Sequence, residues 1–199
     1  MEKEKIKKER LLVGITGASG SIYALSFLKE AKKLGIKTEV IFTQAGKRVW
    51  EYELGISFKE VLNYAEKIYQ EHEMFSPPAS GSSGYSGMVV IPCSMGTLSA
   101  IACGSSKNLL QRSADVMLKE KKTLVLVIRE TPLNLIHIKN METCAQAGAV
   151  IFPAMPSFYH RPRTLEDLVS QFTKRILWFL GFLPEGFFSW GSPFPEDAE

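Results

Sequence analysis

The stretch GITGASGSIYA at positions 14–24 puts Gly14, Gly17 and Gly20 three residues apart, directly after an apolar run. Glycines at a strand-to-helix turn let the backbone approach a ligand closely, and the N–H groups opening the helix attract phosphate. The spacing is G-x-x-G-x-x-G, not the G-x-G-x-x-G of dinucleotide sites. The second apolar run ends in Thr43, where a dinucleotide site needs an acidic residue for its ribose; Glu39 lies earlier, within the run. The G-x-x-x-x-G-K-[ST] loop is absent as well. NAD and ATP are therefore disfavoured, and a mononucleotide such as FMN fits what remains. Gly17, Ala18 and Ser19 form the first loop, and the turn Ser94-Met95-Gly96-Thr97 offers a second set of donors.

Charged residues suggest a second task. Arg129 follows the apolar run TLVLVI and must emerge where that strand ends, so a second anion there fits. Arg112, Lys119 and Arg175 stand in helical or strand-edge contexts, where a solvated surface charge is the ordinary role. Lys119 falls near the start of a strand, at the opposite edge, and would reach a site only in a neighbouring subunit. Glu53 and Glu130 are the acid/base candidates. Buried among apolar groups, Glu53 would have a raised pKa and could shuttle protons near neutral pH.

The elements that must position these residues follow from alternation. Five short apolar runs, at 11–16, 38–43, 88–92, 123–128 and 149–153, read as strands covered on both faces. Helical patterns lie between and after them at 21–34, 47–54, 58–67, 97–120 (broken near Gly104), 133–147 and 165–180. This predicts βαβ units and a parallel sheet: a single three-layer α/β domain, Rossmann-like or flavodoxin-like, with helices on both faces. In such folds ligands bind beyond the carboxyl ends of the strands. Those ends carry residues 17–20, Thr43, 93–97, Arg129 with Glu130, and 155–159, each offering a glycine, a hydroxyl or a charge. The segment SPPASGSSGYSG at 76–87 reads as a loop and a candidate for function.

Composition narrows the classes. The 199 residues fit one domain, with a charged lead-in at 1–10, a folded unit at 11–191 and a tail at 192–199. A net charge of +3 gives no argument for nucleic acid, and no apolar stretch is long enough to span a membrane. The opening MEKEKIKKER lacks the apolar core of a signal peptide. Cys93, Cys103 and Cys144 form no C-x-x-C pair, and His72, His137 and His160 are scattered, so neither a disulfide framework nor a metal site is expected. The expected compartment is the cytoplasm.

Six motifs in order, GITGASGSIYA, PPASGSS, IPCSMGTLSAIACG, NLLQRSADVMLKE, LVLVIRETP and FYHRP with the following EDLV, resemble the UbiX-like flavin prenyltransferases from about residue 11 to 191. The resemblance implies a homo-oligomer, typically a dodecamer. It implies an enzyme that binds FMN and dimethylallyl monophosphate, joins the prenyl carbon to flavin N5 and closes a ring at C6. The product, prenylated FMN, is the cofactor of a partner UbiD-like decarboxylase, and no metal takes part. Carried over by motif, Gly17, Ala18, Ser19, Thr43, Ser94, Met95, Gly96, Thr97 and Arg129 contact FMN. Tyr159 and Arg175 hold the prenyl phosphate together with Glu130, and with Arg112 and Lys119 from an adjacent subunit. Glu53 is the acid/base residue, and Ser19 lies close to flavin N5. Many members place an aromatic residue, often Trp, just before the PPASGS loop; here Met74 and Phe75 stand there, so rate or prenyl preference is the property this departure touches. Trp190 matches a family tryptophan that closes over the site or packs the oligomer.

Three rival functions meet specific obstacles in these residues. An FMN-dependent decarboxylase of the cysteine-peptide type would carry a histidine where this chain has Ala79-Ser80-Gly81. A flavin carrier would not need Arg112, Lys119, Glu130, Tyr159 and Arg175 together. Direct decarboxylation of an aromatic acid lacks a visible general acid and substrate clamp.

Overall fold

The computed structural model describes residues 10–191; the remainder of the charged lead-in and the tail at 192–199 lie outside them. Arg10 already belongs to the first strand. Six strands form one all-parallel sheet: β1 (Arg10–Ile15), β2 (Lys37–Phe42), β3 (Lys67–Gln70), β4 (Gly87–Cys93), β5 (Thr123–Ile128) and β6 (Val150–Pro153). Their spatial order is β3-β2-β1-β4-β5-β6, the Rossmann order. The winding reverses between β1 and β4, so the crevice for a ligand opens beyond the ends of those two strands.

Period-2 alternation along the strands feeds two cores. Leu11, Val13, Ile15, Val40, Phe42, Val89, Ile91, Val125 and Val127 face one side, under α1 (Ser21–Lys33), α2 (Gln44–Leu54) and α6 (Leu165–Phe179). Leu12, Ile41, Met88, Val90, Leu124, Leu126 and Ile128 face the other, under α3 (Met95–Ala102), α4 (Leu109–Lys119) and α5 (Leu135–Gln146). This double burial explains why the strands read as unbroken apolar runs. Trp50 of α2, fully buried, meets Phe42 edge-on at a centroid separation of 5.6 Å and fixes α2 on its face.

The structure corrects two expectations about elements and agrees with a third. β3 (KIYQ) is an edge strand that the sequence reading missed, because four residues with polar ends carry no apolar run. The helix expected at 58–67 is a 3-10 turn at Phe58–Asn63 followed by β3. The break expected near Gly104 within 97–120 is present: Gly104 adopts a left-handed φ of 66° and the Asn108 side chain caps a new helix on the N–H of Gln111.

Loop 76–86 contains two single 3-10 turns, Pro77–Ala79 and Gly81–Ser83, and is held by the far end of the sheet. Arg10 donates through Nη1 to the Ser83 carbonyl at 2.9 Å and through Nε to Glu39 at 2.8 Å. The hydroxyls of Tyr69 and Tyr85 donate to the same Glu39 carboxylate at 2.9 and 2.6 Å. Burial opposes ionisation of Glu39. The hydrogen bonds from Tyr85, Arg10 and Tyr69 outweigh it and hold the carboxyl below its ordinary range.

Candidate functional site

At the end of β1 the chain turns through Gly17, Ala18, Ser19 and Gly20 into α1. Gly20 adopts φ 110°, a conformation natural only to glycine, and offers no side chain to cap the helix. Glu53, one residue from the end of α2, supplies the cap instead. Its carboxylate accepts the N–H of Gly20 at 2.9 Å and of Ser21 at 2.8 Å. The N–H groups expected to receive a phosphate in this loop are therefore taken. Nor is Glu53 buried among apolar groups: its side chain is exposed at the mouth of the crevice. What desolvation it feels would raise its pKa, but the Ser19 hydroxyl and the two backbone N–H groups prevail and lower it. The expectation of a raised pKa is thus corrected, and Glu53 stands as a carboxylate near neutral pH.

The start of the next helix, α3, is more open. The Thr16 hydroxyl donates to the Pro92 carbonyl at 2.7 Å and accepts the Ser94 N–H at 2.9 Å, stitching the ends of β1 and β4 together. Ser94 then caps α3, accepting the N–H of Thr97 at 3.3 Å. A side chain at Gly96 would meet nothing within 4 Å, so the first turn of α3 faces open space with its dipole aimed into the crevice. Met95 turns its side chain into the core and leaves only backbone to the crevice. Thr43 caps α2, accepting the N–H of Gly46 at 3.0 Å, on the other side of the first loop. Gly17 serves packing: a Cβ there would lie 2.6 Å from the Cβ of Ala45. Arg129, at the end of β5, donates through Nε to the Ser19 carbonyl at 3.0 Å. An open helix start, hydroxyls on either side and one guanidinium fit the phosphate and ring of a flavin mononucleotide.

A second candidate seat for an anion lies past the end of β6. Tyr159 and Arg175 line one cavity of about 220 Å³ with Phe152, Phe172 and Phe188. The Arg175 guanidinium stacks 4.7 Å from the Trp178 ring, and its buried Nη1 has no hydrogen-bond partner. A buried, unpaired charged donor is costly unless something completes it. Tyr159 packs between Phe188 at 6.0 Å and Trp190 at 5.3 Å, so Trp190 sits against the seat while keeping an exposed ring.

The remaining expected residues do not converge within one chain. Glu130 is exposed beside Arg129 and accepts the Thr131 N–H at 3.0 Å. Arg112 lies on α4, on the opposite face of the sheet from α6, donating to the Ala79 carbonyl at 3.2 Å and pairing with Asp115 at 2.7 Å. Lys119, at the end of α4, pairs with Glu120. Through its bond to Ala79, Arg112 borders the PPASGS loop. Ahead of that loop Phe75 is fully exposed, whereas Met74 packs on the core.

The sequence reading missed two residues. Tyr23 lies beside Gly20 and Arg129 and packs on Phe172 at 5.0 Å, joining the first loop to the second seat. Inside a helical pattern an aromatic residue ordinarily reads as core packing, so nothing in the sequence marks it. His160 lines the Tyr159–Arg175 cavity; as one of three scattered histidines it carried no signal of its own.

The Rossmann-order sheet, the open start of α3 and the Tyr159–Arg175 cavity suit a flavin-binding protein. The Flavoprotein family model matches residues 1–176. Flavin prenyltransferase UbiX of Halalkalibacterium halodurans is 46% identical over 189 residues, covering 90% of this chain and 92% of that protein. The chain belongs to the UbiX-like flavin prenyltransferase family. Among solved structures, AnUbiX (PadA1) in complex with FMN and dimethylallyl pyrophosphate superposes with a TM-score of 0.90 at 38% identity, over 94% of this chain and 100% of that one. A dodecameric FMN-dependent Ubix-like decarboxylase from Escherichia coli O157:H7 gives 0.88 at 35% identity, over 92% and 100%.

Proposed function

We propose that this chain transfers a dimethylallyl group from dimethylallyl monophosphate to reduced FMN, at N5 and then C6, yielding the prenylated FMN used by UbiD-like decarboxylases. One observation carries the reading: Tyr159 and the unpaired Nη1 of Arg175 meet in one cavity, joined through Phe172 and Tyr23 to the first loop.

Ser94, Gly96, Thr97, Thr43, Arg129 and the first loop would hold FMN, which supplies the nucleophilic ring atoms when bound. Tyr159 and Arg175 orient the prenyl phosphate and gather charge as its C–O bond breaks, a need made acute by the poor leaving ability of a monophosphate. The aromatic rings around Tyr159 exclude water and present π faces to an allylic cation. Glu53, ionised and joined to Ser19, accepts a proton by way of the Ser19 hydroxyl. Glu130, Arg112 and Lys119 complete the phosphate site in a homo-oligomer, read here as a dodecamer. Arg112 and Lys119 come from an adjacent copy, consistent with their place across the sheet from α6. Exposed Leu135, Ile136 and Ile138 on α5 give such an assembly an apolar surface to cover. The reading places the enzyme in the cytoplasm. Cys93, Cys103 and Cys144 are free thiols, and no helix among the described residues is long and apolar enough to cross a membrane.

The test is mass spectrometry of the flavin after anaerobic incubation of the protein with reduced FMN and dimethylallyl monophosphate. A gain of one five-carbon unit is expected; an unmodified flavin removes the proposal.

A further inference from the structure

We propose that His160 is a further catalytic residue of prenyl transfer, its Nε2 protonating the bridging oxygen of the departing phosphate. This rests on reading the Tyr159–Arg175 cavity as the prenyl-phosphate seat. Among the described residues, four buried side-chain polar atoms lack a hydrogen-bond partner; two of them are Arg175 Nη1 and His160 Nε2. Both residues line the same cavity of about 220 Å³. Each unmade bond at a buried polar atom costs roughly 1–3 kcal/mol, and an oxyanion in the cavity that both residues line would offer these atoms a partner. The imidazole is set edge-on to the Tyr159 ring at 6.2 Å, which limits its rotation beside the seat.

The same imidazole borders a second cleft of about 450 Å³ between loop 160–163 and α6. His160 therefore forms the wall between an aromatic-lined cavity and a charged, open cleft, and the cleft gives it a proton supply. The ionisable groups around it are Tyr159, Arg161 and Arg163 from its own loop and Asp167, Lys174 and Arg175 from α6. Burial pushes the imidazole pKa below its ordinary value, and Asp167 only partly offsets this. The ring rests neutral near pH 7 and takes up a proton when a phosphate dianion enters. When the C–O bond breaks, its electron pair goes to the bridging oxygen. The Nε2 proton moves to that oxygen, so the phosphate leaves as the hydrogen phosphate dianion rather than the trianion, and the imidazole returns to its neutral form.

Two measurements test this. The first is calorimetry of dimethylallyl monophosphate binding to protein loaded with oxidised FMN, which lacks the electrons for transfer, in buffers of different ionisation enthalpy at pH 7.5. Proton uptake by the wild type is expected, with its loss in His160→Gln; a wild type that binds without uptake overturns the proposal. The second is single-turnover prenylation of reduced FMN. His160→Gln and His160→Asn are expected to slow the step about 10²-fold or more at saturating donor. The wild-type decline in rate at high pH should vanish in both variants. Wild-type rate and pH profile in the variants would overturn the role of His160 while leaving the prenyltransferase reading intact. A wild type that yields no prenylated flavin removes both.

Discussion

The Glu53 carboxylate of α2 accepts the Ser21 N–H of α1 at 2.8 Å, so one helix supplies the cap that the other lacks. The bond couples chemistry to stability, because the carboxylate that faces the crevice also satisfies the start of α1.

Replacing Glu53 with Gln keeps the shape and removes the charge. FMN binding is expected to persist while prenyl transfer slows; unchanged turnover removes Glu53 from the mechanism. The variant should also lose roughly 0.5–1 kcal/mol at neutral pH, the lower part of the capping range because the site is exposed and screened. The folded-state pKa of Glu53 is lowered, so its contribution is present above the unfolded-state pKa and fades as pH falls through the folded one. Urea titrations at pH 7 and at pH 3 should show the gap between wild type and variant closing with acid.

Arg175→Ala should weaken dimethylallyl monophosphate by roughly 10- to 100-fold, the scale of a charged hydrogen bond, with little change in FMN affinity. Calorimetric titration with each ligand checks this. Equal losses for both would mean that the cavity beside Tyr159 is misassigned.

Glu39→Gln should destabilise the fold by about 3 kcal/mol, since it leaves Arg10 without its carboxylate and disturbs two buried tyrosine hydrogen bonds. The lowered pKa of Glu39 gives the same sign as for Glu53: stability is present above the unfolded-state value and lost as pH falls through the folded one. Thermal melts should place the variant well below wild type at pH 7 and closer at pH 3. Coincident melts at pH 7 would contradict the network.

Gly17→Ala should cost about 1–3 kcal/mol through the clash with Ala45, and Ala45→Gly should recover part of it. If the double variant is no more stable than the single, the glycine serves something other than packing.

At donor concentrations that saturate only the wild type, a chain carrying Lys119→Ala and a chain carrying Arg175→Ala are each expected to be poorly active alone and to regain activity when mixed and reassembled. Some sites in the mixture then combine an intact Lys119 with an intact Arg175 from different copies. Absence of recovery in verified mixed oligomers would place Lys119 outside the phosphate site.

The sequence by itself determined the parallel α/β sheet, because strands buried on both faces must be apolar at every position, and it located the loops whose glycines and hydroxyls ring the crevice. It also carried the ordered motifs that resemble the prenyltransferases. It did not reveal β3, whose four residues are held by pairing with β2 and by Tyr69 on Glu39 rather than by any local pattern. Only the tertiary structure showed that Glu53 caps α1, that the first turn of α3 is left open where the first loop is not, and that Tyr23 and His160 lie beside the candidate residues. A pKa and a hydrogen-bond partner depend on which groups lie within about 3 Å, and the winding of the sheet brings together residues more than 30 positions apart in the chain.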